Sequence, residues 1–367
     1  MNEPADPYRK IGTWETENGP LTVWRSPGLT DALWDDFLRG SPCGQYQQSS
    51  LWAQYKASDG WNHHRVILTQ ADRILGGFQI LWKKTRAGRM GYANKGPVVE
   101  PPDAGLTRRL NSLLCETTRE LGLIALIAQA PDESLPSPAP NEDAVFVQSN
   151  PGSLIETTYL IDVSEGMEVV RSRMRPKLRK NLKDGRKSGT IIREGSEADL
   201  PLFFSLMSAT CARKQTPPNP SSLEAVRQLW QIFAPSKSIR LVVAECEGRA
   251  PAAQLNLVFG NRVSIWKEGW DGTYPNWHTG ALLEEATLEW AHAQGLKLCD
   301  ICSLIRSTAL RLLAGQKITA ETVSSRDLFN VRFGGYPKIL PPARIYLPNP
   351  MLRWAYRHVL TRFARFR

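Results

Sequence analysis

Leu241-Val242-Val243-Ala244, a turn at Glu247-Gly248-Arg249 and then Ala252-Ala253-Gln254-Leu255-Asn256-Leu257 is the stretch on which the fold is decided. Two apolar runs of strand length around a polar, glycine-bearing turn read as a β-hairpin. The same pattern stands earlier in the chain, where Val66-Ile67-Leu68 precedes a turn at Asp72-Arg73 and the run Ile74 to Leu81. A third strand candidate follows each hairpin, Met90 to Ala93 and Val263 to Lys267. Then both regions turn helical. Leu106, Leu110, Leu113, Leu114 and Leu121 form a helix-period stripe ended by Gly122, and Leu282, Leu283, Ala286, Trp290 and Ala291 form another ended by Gly295. Each helix runs into a buried strand, Leu123 to Ala128 and Leu296 to Cys302. The order hairpin, strand, helix, strand occurs twice, which predicts one α/β (α+β) fold used twice, each copy a mixed sheet flanked by helices.

The chain has 367 residues, enough for two domains with separate cores. A Pro/Ser-rich loop from Pro131 to Pro140 lies between the copies. The expected boundaries are 1–150 for the first domain, 151–345 for the second and 346–367 for a terminal helix. Hydrophobic residues make up 42% and charged residues 22%, a globular composition that excludes wholesale disorder. The net charge of +10 points to phosphate-bearing partners: nucleic acid, nucleotide diphosphates or an anionic membrane.

No run of about 20 apolar residues is present, and Met1 to Lys10 is polar, without the apolar core of a secretory signal. Six cysteines in this length do not suggest a disulfide framework, so a reducing cytoplasm is expected. Cys299 and Cys302 make a C-x-x-C, but no second cysteine or histidine pair accompanies them and no metal site is expected. With no heptad pattern, a monomer is expected.

Two basic segments stand out. Arg171 to Lys187 is helix-compatible and carries nine basic residues against one acid, Asp184. Like charges at i,i+4 repel, which favours an anionic ligand for the run over a merely solvated face. Met351 to Arg367 places Leu352, Ala355, Val359, Phe363 and Phe366 on one side, interleaved with Arg353, Arg357, Arg362 and Arg365. Such a helix either lies on the inner face of a membrane or packs on the second domain.

The usual catalytic sets are missing: no G-x-S-x-G, no H-E-x-x-H, no Walker-type phosphate loop and no G-x-G-x-x-G after a strand. What remains is a series of short stretches in a particular order. Gln48-Ser49-Ser50-Leu51-Trp52-Ala53-Gln54-Tyr55-Lys56 leads into Gly60-Trp61, and Lys95-Gly96-Pro97 follows the third strand. Lys177 to Lys183, Ala212-Arg213-Lys214 and Leu328-Phe329-Asn330-Val331-Arg332-Phe333-Gly334-Gly335 come after. In this order, on a duplicated frame, they resemble the FemABX family of tRNA-dependent peptidyltransferases, from about Gln45 to Pro337.

The resemblance implies two GNAT-like domains, an aminoacyl-tRNA co-substrate in place of a bound cofactor, and a UDP-linked or lipid-linked muropeptide acceptor. It puts Lys56 and Arg213 on the acceptor's diphosphate, with Trp52 and Lys95 beside them. Guanidinium can grip phosphate bidentately and ammonium acts as a point charge. Arg179, Lys180, Lys183 and Lys187 are assigned to nucleic-acid phosphates, and Phe329, Asn330 and Arg332 to the reacting centre. This chain departs from the family in reading Phe329-Asn330 where Phe-Lys is usual, and in lacking an acid before Pro131. An aminoacyl ester is already activated, so proximity, oxyanion stabilisation and proton transfer suffice without a covalent nucleophile. The competing expectation keeps the fold and draws the acyl group from acyl-coenzyme A, for a polysaccharide or natural-product acceptor. A second is a non-enzymatic adaptor with a decayed site.

Overall fold

Apolar and β-branched strands need helices over their buried faces, and the computed structural model builds two sheets on that rule. It describes residues 8–17, 19–134, 146–148, 154–301 and 303–360. The chain divides into two units, one running to Leu154 and resuming at Pro341, the other Ile155–Leu340.

The first unit begins with β1 (Arg9–Trp14), β2 (Leu21–Ser26), α1 (Ala32–Gly40) and α2 (Ser50–Ala57). The predicted hairpin is β3 (Asn62–Gln70) and β4 (Arg73–Thr85), followed by β5 (Gly88–Asn94) and the short β6 (Val98–Val99). Helix α3 (Ala104–Glu120) starts where the Asp103 carboxylate accepts from the Leu106 N–H, 2.7 Å, and ends before Gly122 at φ +61°. It buries Leu110 and Leu114 against the sheet and returns the chain to β7 (Leu123–Gln129), parallel to β5. Beyond it lies β8 (Phe146–Gln148).

The second unit opens with β9 (Thr157–Asp162), α4 (Met167–Arg173), α5 (Pro176–Lys187) and β10 (Ile191–Glu194). Helices α6 (Leu200–Arg213) and α7 (Leu223–Phe233) precede the hairpin of β11 (Ile239–Cys246) and β12 (Arg249–Phe259). Its turn holds Glu247 and Gly248 at positive φ, as a two-residue hairpin loop demands. Then come β13 (Arg262–Trp270), α8 (Thr279–Ala293), β14 (Leu298–Asp300), α9 (Arg306–Leu313), α10 (Ser325–Asn330) and β15 (Tyr336–Ile339). The strand order is β10-β11-β12-β13-β14-β9-β15. The two units repeat hairpin, strand, helix, parallel strand, as expected.

Three details differ from the sequence reading. The chain returns to the first sheet as β16 (Arg344–Tyr346), where Ile345 lies between Ile127 of β7 and Val147 of β8. The expected boundary at 345 therefore falls at Leu340, and α11 (Pro350–Ala355) continues the first unit. Three residues are too few to show a strand period, so the exposed edge of β7 drew a partner that the pattern hid. The basic run is two helices and not one, because Pro176 holds Arg175 extended at ψ 144°. The strand expected from Leu296 to Cys302 is confined to Leu298–Asp300. Cys302, residues 135–140 of the Pro/Ser loop and residues 361–367 of the terminal segment lie outside the described residues.

Candidate active site

The parallel crossover opens in the second unit. Strands β13 and β14 pair only at Arg262, Ser264 and the residue between, opposite Leu298–Asp300, while β13 runs on to Trp270 with β12 alone. On the β12 side the register slips between Ile265 and Lys267, leaving Trp266 as the extra residue of a bulge. Two residues past the bulge stands Glu268. The far end of the opening is closed by α6: the Trp270 N–H donates to the Thr210 hydroxyl, 2.8 Å, and its carbonyl accepts from Arg213.

Helix α8 lies over this opening with Gly280, Glu284 and Thr287 on one face at i, i+4 and i+7. A methyl at Gly280 would sit 3.0 Å from Glu268 Oε1 and 3.8 Å from the Phe329 ring, so glycine lets strand carboxylate, helix and α10 converge. Glu284 is 3% exposed, and its Oε2 has no hydrogen-bond partner among the described residues. Nearby, Thr287 donates to Gln254 Oε1, 2.7 Å, whereas Gln254 Nε2 is left unsatisfied. Burial pushes Glu268 up to about 7, with the Lys214 charge pulling the other way. Burial, and then the Glu268 charge, raises Glu284 well above the usual carboxylate range. Neither acid was singled out from sequence. The signal was Glu268 interrupting a strand and Glu284 standing one turn past a helix-opening glycine.

The predicted reacting centre is corrected accordingly. The buried Asn330 side chain donates to the Ile301 carbonyl, 3.3 Å, and is spent on holding α10 to the end of β14. Phe329 packs edge-on against Phe333 at 5.6 Å and is the member of the motif that reaches Gly280. The half-buried Arg332 makes no side-chain hydrogen bond or ion pair among the described residues, while its carbonyl accepts from the Arg175 N–H, 2.9 Å. Arg213 is exposed at the end of α6, stacked on Trp270 at 4.9 Å.

In the first unit, Lys56 lies over three rings: Trp52 at 5.5 Å, Tyr55 at 5.6 Å and Trp61 at 5.9 Å. Desolvation there lowers the Lys56 pKa. A half-buried ammonium in an aromatic cage is a directed cation, worth about 0.5–2 kcal/mol per well-formed contact. Lys95 is no substrate ligand. Its side chain is 2% exposed and donates to Asp132, 2.6 Å, whose other oxygen accepts from Gln45. Proximity to Gly96-Pro97 in sequence said nothing of this, because the counter-ion arrives 37 residues later.

The basic helices are also partly spent. Arg171 pairs with Glu285 and Glu289, Arg186 with Glu285, Arg173 with Glu165 and Lys180 with Asp184. Arg179 folds back onto the carbonyls of Arg171, Ser172 and Met174. Much of the anionic ligand that the run required is therefore supplied by α8 of the same chain. Lys177, Lys183 and Lys187 are exposed and make no ion pair among the described residues.

Two α/β units with a parallel crossover, one of them open beside paired acids, define a tandem GNAT-fold acyltransferase, and residues 171–303 match the acetyltransferase (GNAT) domain family. Residues 29–131 match the FemAB family. The resemblance to the FemABX family is thus carried by the match in the first unit. It is 22% identical over 290 residues to the UDP-N-acetylmuramoylpentapeptide-lysine N(6)-alanyltransferase of Weissella viridescens, covering 73% of this chain and 82% of that protein. A stretch of 56 residues is 36% identical to the lipid II:glycine glycyltransferase of Staphylococcus saprophyticus, 15% of this chain and 14% of that one. The crystal structure of FemX has a TM-score of 0.74 at 13% identity over 88% of this chain and 97% of that structure.

Proposed function

We propose that this protein moves an amino acid from an aminoacyl-tRNA to an amine of a UDP-linked or lipid-linked muropeptide. The observation that carries the reading is the kinship with the alanyltransferase, which is longer than either unit alone and so engages both. The side chains are consistent with it. In the first unit Lys56, with Trp52 as a wall of its cage, offers a cation suited to an acceptor phosphate, and in the second unit Arg213 offers another. Lys183 and Lys187 offer unspent charge to the donor's phosphates, with Arg179 and Lys180 secondary because they are engaged already.

Acyl-coenzyme A is the second donor reading, favoured by the match to the GNAT domain. Against it, the turn entering α8 is closed on itself. The Trp277 and His278 N–H groups donate to the Tyr274 and Pro275 carbonyls, and Tyr274 stacks on Trp277 at 3.8 Å. A turn whose amides are used internally offers little to a pyrophosphate.

The test incubates purified protein with alanyl-tRNA and UDP-N-acetylmuramoyl pentapeptide and weighs the acceptor. One added alanine supports the reading; acylation of that acceptor from acetyl-coenzyme A, with indifference to tRNA, overturns it. No helix among the described residues is long and apolar enough to cross a membrane. Met351, Leu352 and Trp354 on α11 are exposed at 79%, 49% and 63%, which supports a peripheral contact with the cytoplasmic face. Deleting the chain after Pro350 should then abolish sedimentation with anionic vesicles; unchanged sedimentation removes the contact.

A further inference from the structure

Buried carboxylates demand a counter-ion or a proton, because transferring a charge from water into a protein interior is costly. Other buried carboxylates among the described residues are satisfied by a cation or by donors: Arg65 meets Asp31, Lys95 meets Asp132, and Asp35 accepts from the Ser50 N–H and hydroxyl. The buried Glu284 and the half-buried Glu268 beside it break that rule. From α6 the cation facing Glu268 is Lys214, which lies at the solvent-exposed end of the helix. From β12 its register partner is the neutral Gln254, and from α8 its neighbour is another acid, Glu284. Glu284 Oε2 and Gln254 Nε2 are both orphaned. Such a pair is satisfied by one shared proton and by water. Glu268 also stands on the stretch of β13 freed from β14, and the Gly280 position that it approaches faces the Phe329 ring of the late motif.

We propose that Glu268 is the proton acceptor and donor of the acyl transfer, and that Glu284 is the positioning residue that keeps one proton within the pair. This rests on the reading of the chain as transferring an acyl group from an ester to an amine. The amine nitrogen attacks the ester carbonyl carbon, a C–N bond forms, and the carbonyl electron pair moves onto oxygen. The nitrogen, now cationic, loses a proton to the Glu268 carboxylate. The oxyanion re-forms the carbonyl, the bond to the ribose oxygen breaks, and that oxygen takes the proton back from Glu268. Amide and hydroxyl are produced and the carboxylate is regenerated. A half-buried acid titrating near neutrality suits both halves of this transfer.

The experiment has two arms. In protein labelled at the glutamate side-chain carboxyl carbon, NMR should show one carboxyl titrating near pH 7. Glu268→Gln should remove that signal, and Glu284→Gln should move it toward the ordinary carboxylate range. All glutamates titrating in that ordinary range overturns the pair. In the second arm, single-turnover alanine transfer to UDP-N-acetylmuramoyl pentapeptide should fall at least 100-fold in Glu268→Gln with KM held. In Glu284→Gln the acid limb of the pH–rate profile should shift downward. A Glu268→Gln enzyme with wild-type rate and profile overturns the assignment. Wild-type protein inert toward this substrate pair defeats the functional reading instead, and the NMR arm then decides the pair by itself.

Discussion

In the first unit β5 and β7 stay paired from Arg89 to Asn94, and the charge just beyond, Lys95, is closed off by Asp132. In the second, β13 leaves β14 after Ser264, and Glu268 on the freed stretch has as its neighbour Glu284 of α8, two acids with no cation hydrogen-bonded to them among the described residues, while Lys267 between bulge and acid lies over the Trp266 ring. The same supersecondary unit thus serves two ends. Where the ladder is zipped and the buried charge is neutralised, the crossover is architecture. Where the ladder opens and like charges are left together, it is a site able to hold and release a proton.

The comparison breaks most visibly if the zipped side is disturbed. Lys95→Met leaves Asp132 buried beside Gln45 without its cation, and removing one partner of a buried pair typically costs about 3–5 kcal/mol. Replacing both residues, Lys95→Met with Asp132→Leu, should recover most of that loss. Urea denaturation of the two variants measures it, and a double variant as unstable as the single one would mean that the pair is not what closes this crossover.

The open side should behave in the opposite way. Glu268 has a folded pKa near 7, above its ordinary 4.5, so the folded chain holds a proton that the unfolded chain releases. That contribution is fully present below the unfolded value and is lost as pH rises through the folded one. Glu268→Gln should therefore match or exceed wild-type stability at pH 8, by about 1–2 kcal/mol, and flatten the decline between pH 5 and 7.5. A variant that is instead destabilised like Lys95→Met would return Glu268 to the architectural class.

The frame was legible because it is repeated and local. Leu110 and Leu114 face the sheet, Gly122 and Gly295 stop their helices at positive φ, and both hairpins form where the apolar runs stand. What was hidden arose from distance along the chain. Lys95 looked like a ligand until Asp132 is placed beside it, and the basic run looked unsatisfied until Glu285 and Glu289 arrive from α8. Asn330 stood where the family's lysine is usual, but its amide is turned onto Ile301. The acids of the site carried no motif at all. A carboxylate such as Glu268 is read as surface until the structure shows that a glycine on the neighbouring helix has made room for it.

The distinction between spent and unspent charge also divides helix α5. Lys183 and Lys187 make no ion pair among the described residues, although the Lys187 charge is felt at Asp184, whereas Lys180 is hydrogen-bonded to Asp184. Replacing Lys183 and Lys187 together by glutamine should weaken tRNA binding several-fold and reduce the salt dependence of log K by about 1.4–1.8, some 0.7–0.9 per phosphate contact. Lys180→Gln should change that slope by less than half as much as either unspent lysine. Equal effects at all three positions would mean that the Asp184 pair dissolves on binding.

The finest test is a single methyl. Gly280 and Gly91 stand in corresponding crossovers, but they meet different neighbours. A Cβ at Gly91 would come within 2.6 Å of a Leu123 methyl, and a Cβ at Gly280 within 3.0 Å of the Glu268 carboxylate. Gly91→Ala should therefore be felt as overpacking, about 1–2 kcal/mol of stability with no change in any titration. Gly280→Ala lies in the first turn of α8, where alanine's better helix propensity offsets the crowding, so stability should change by less than about 1 kcal/mol. The carboxylate must yield by a few tenths of an ångström, and a shift that exposes it to water weakens the burial that holds its pKa up while the Lys214 charge goes on lowering it. Its titration should fall from near 7 toward the ordinary range, as NMR of the labelled glutamates would record. A titration that stays in place while stability drops would mean that Gly280, like Gly91, is there only for packing.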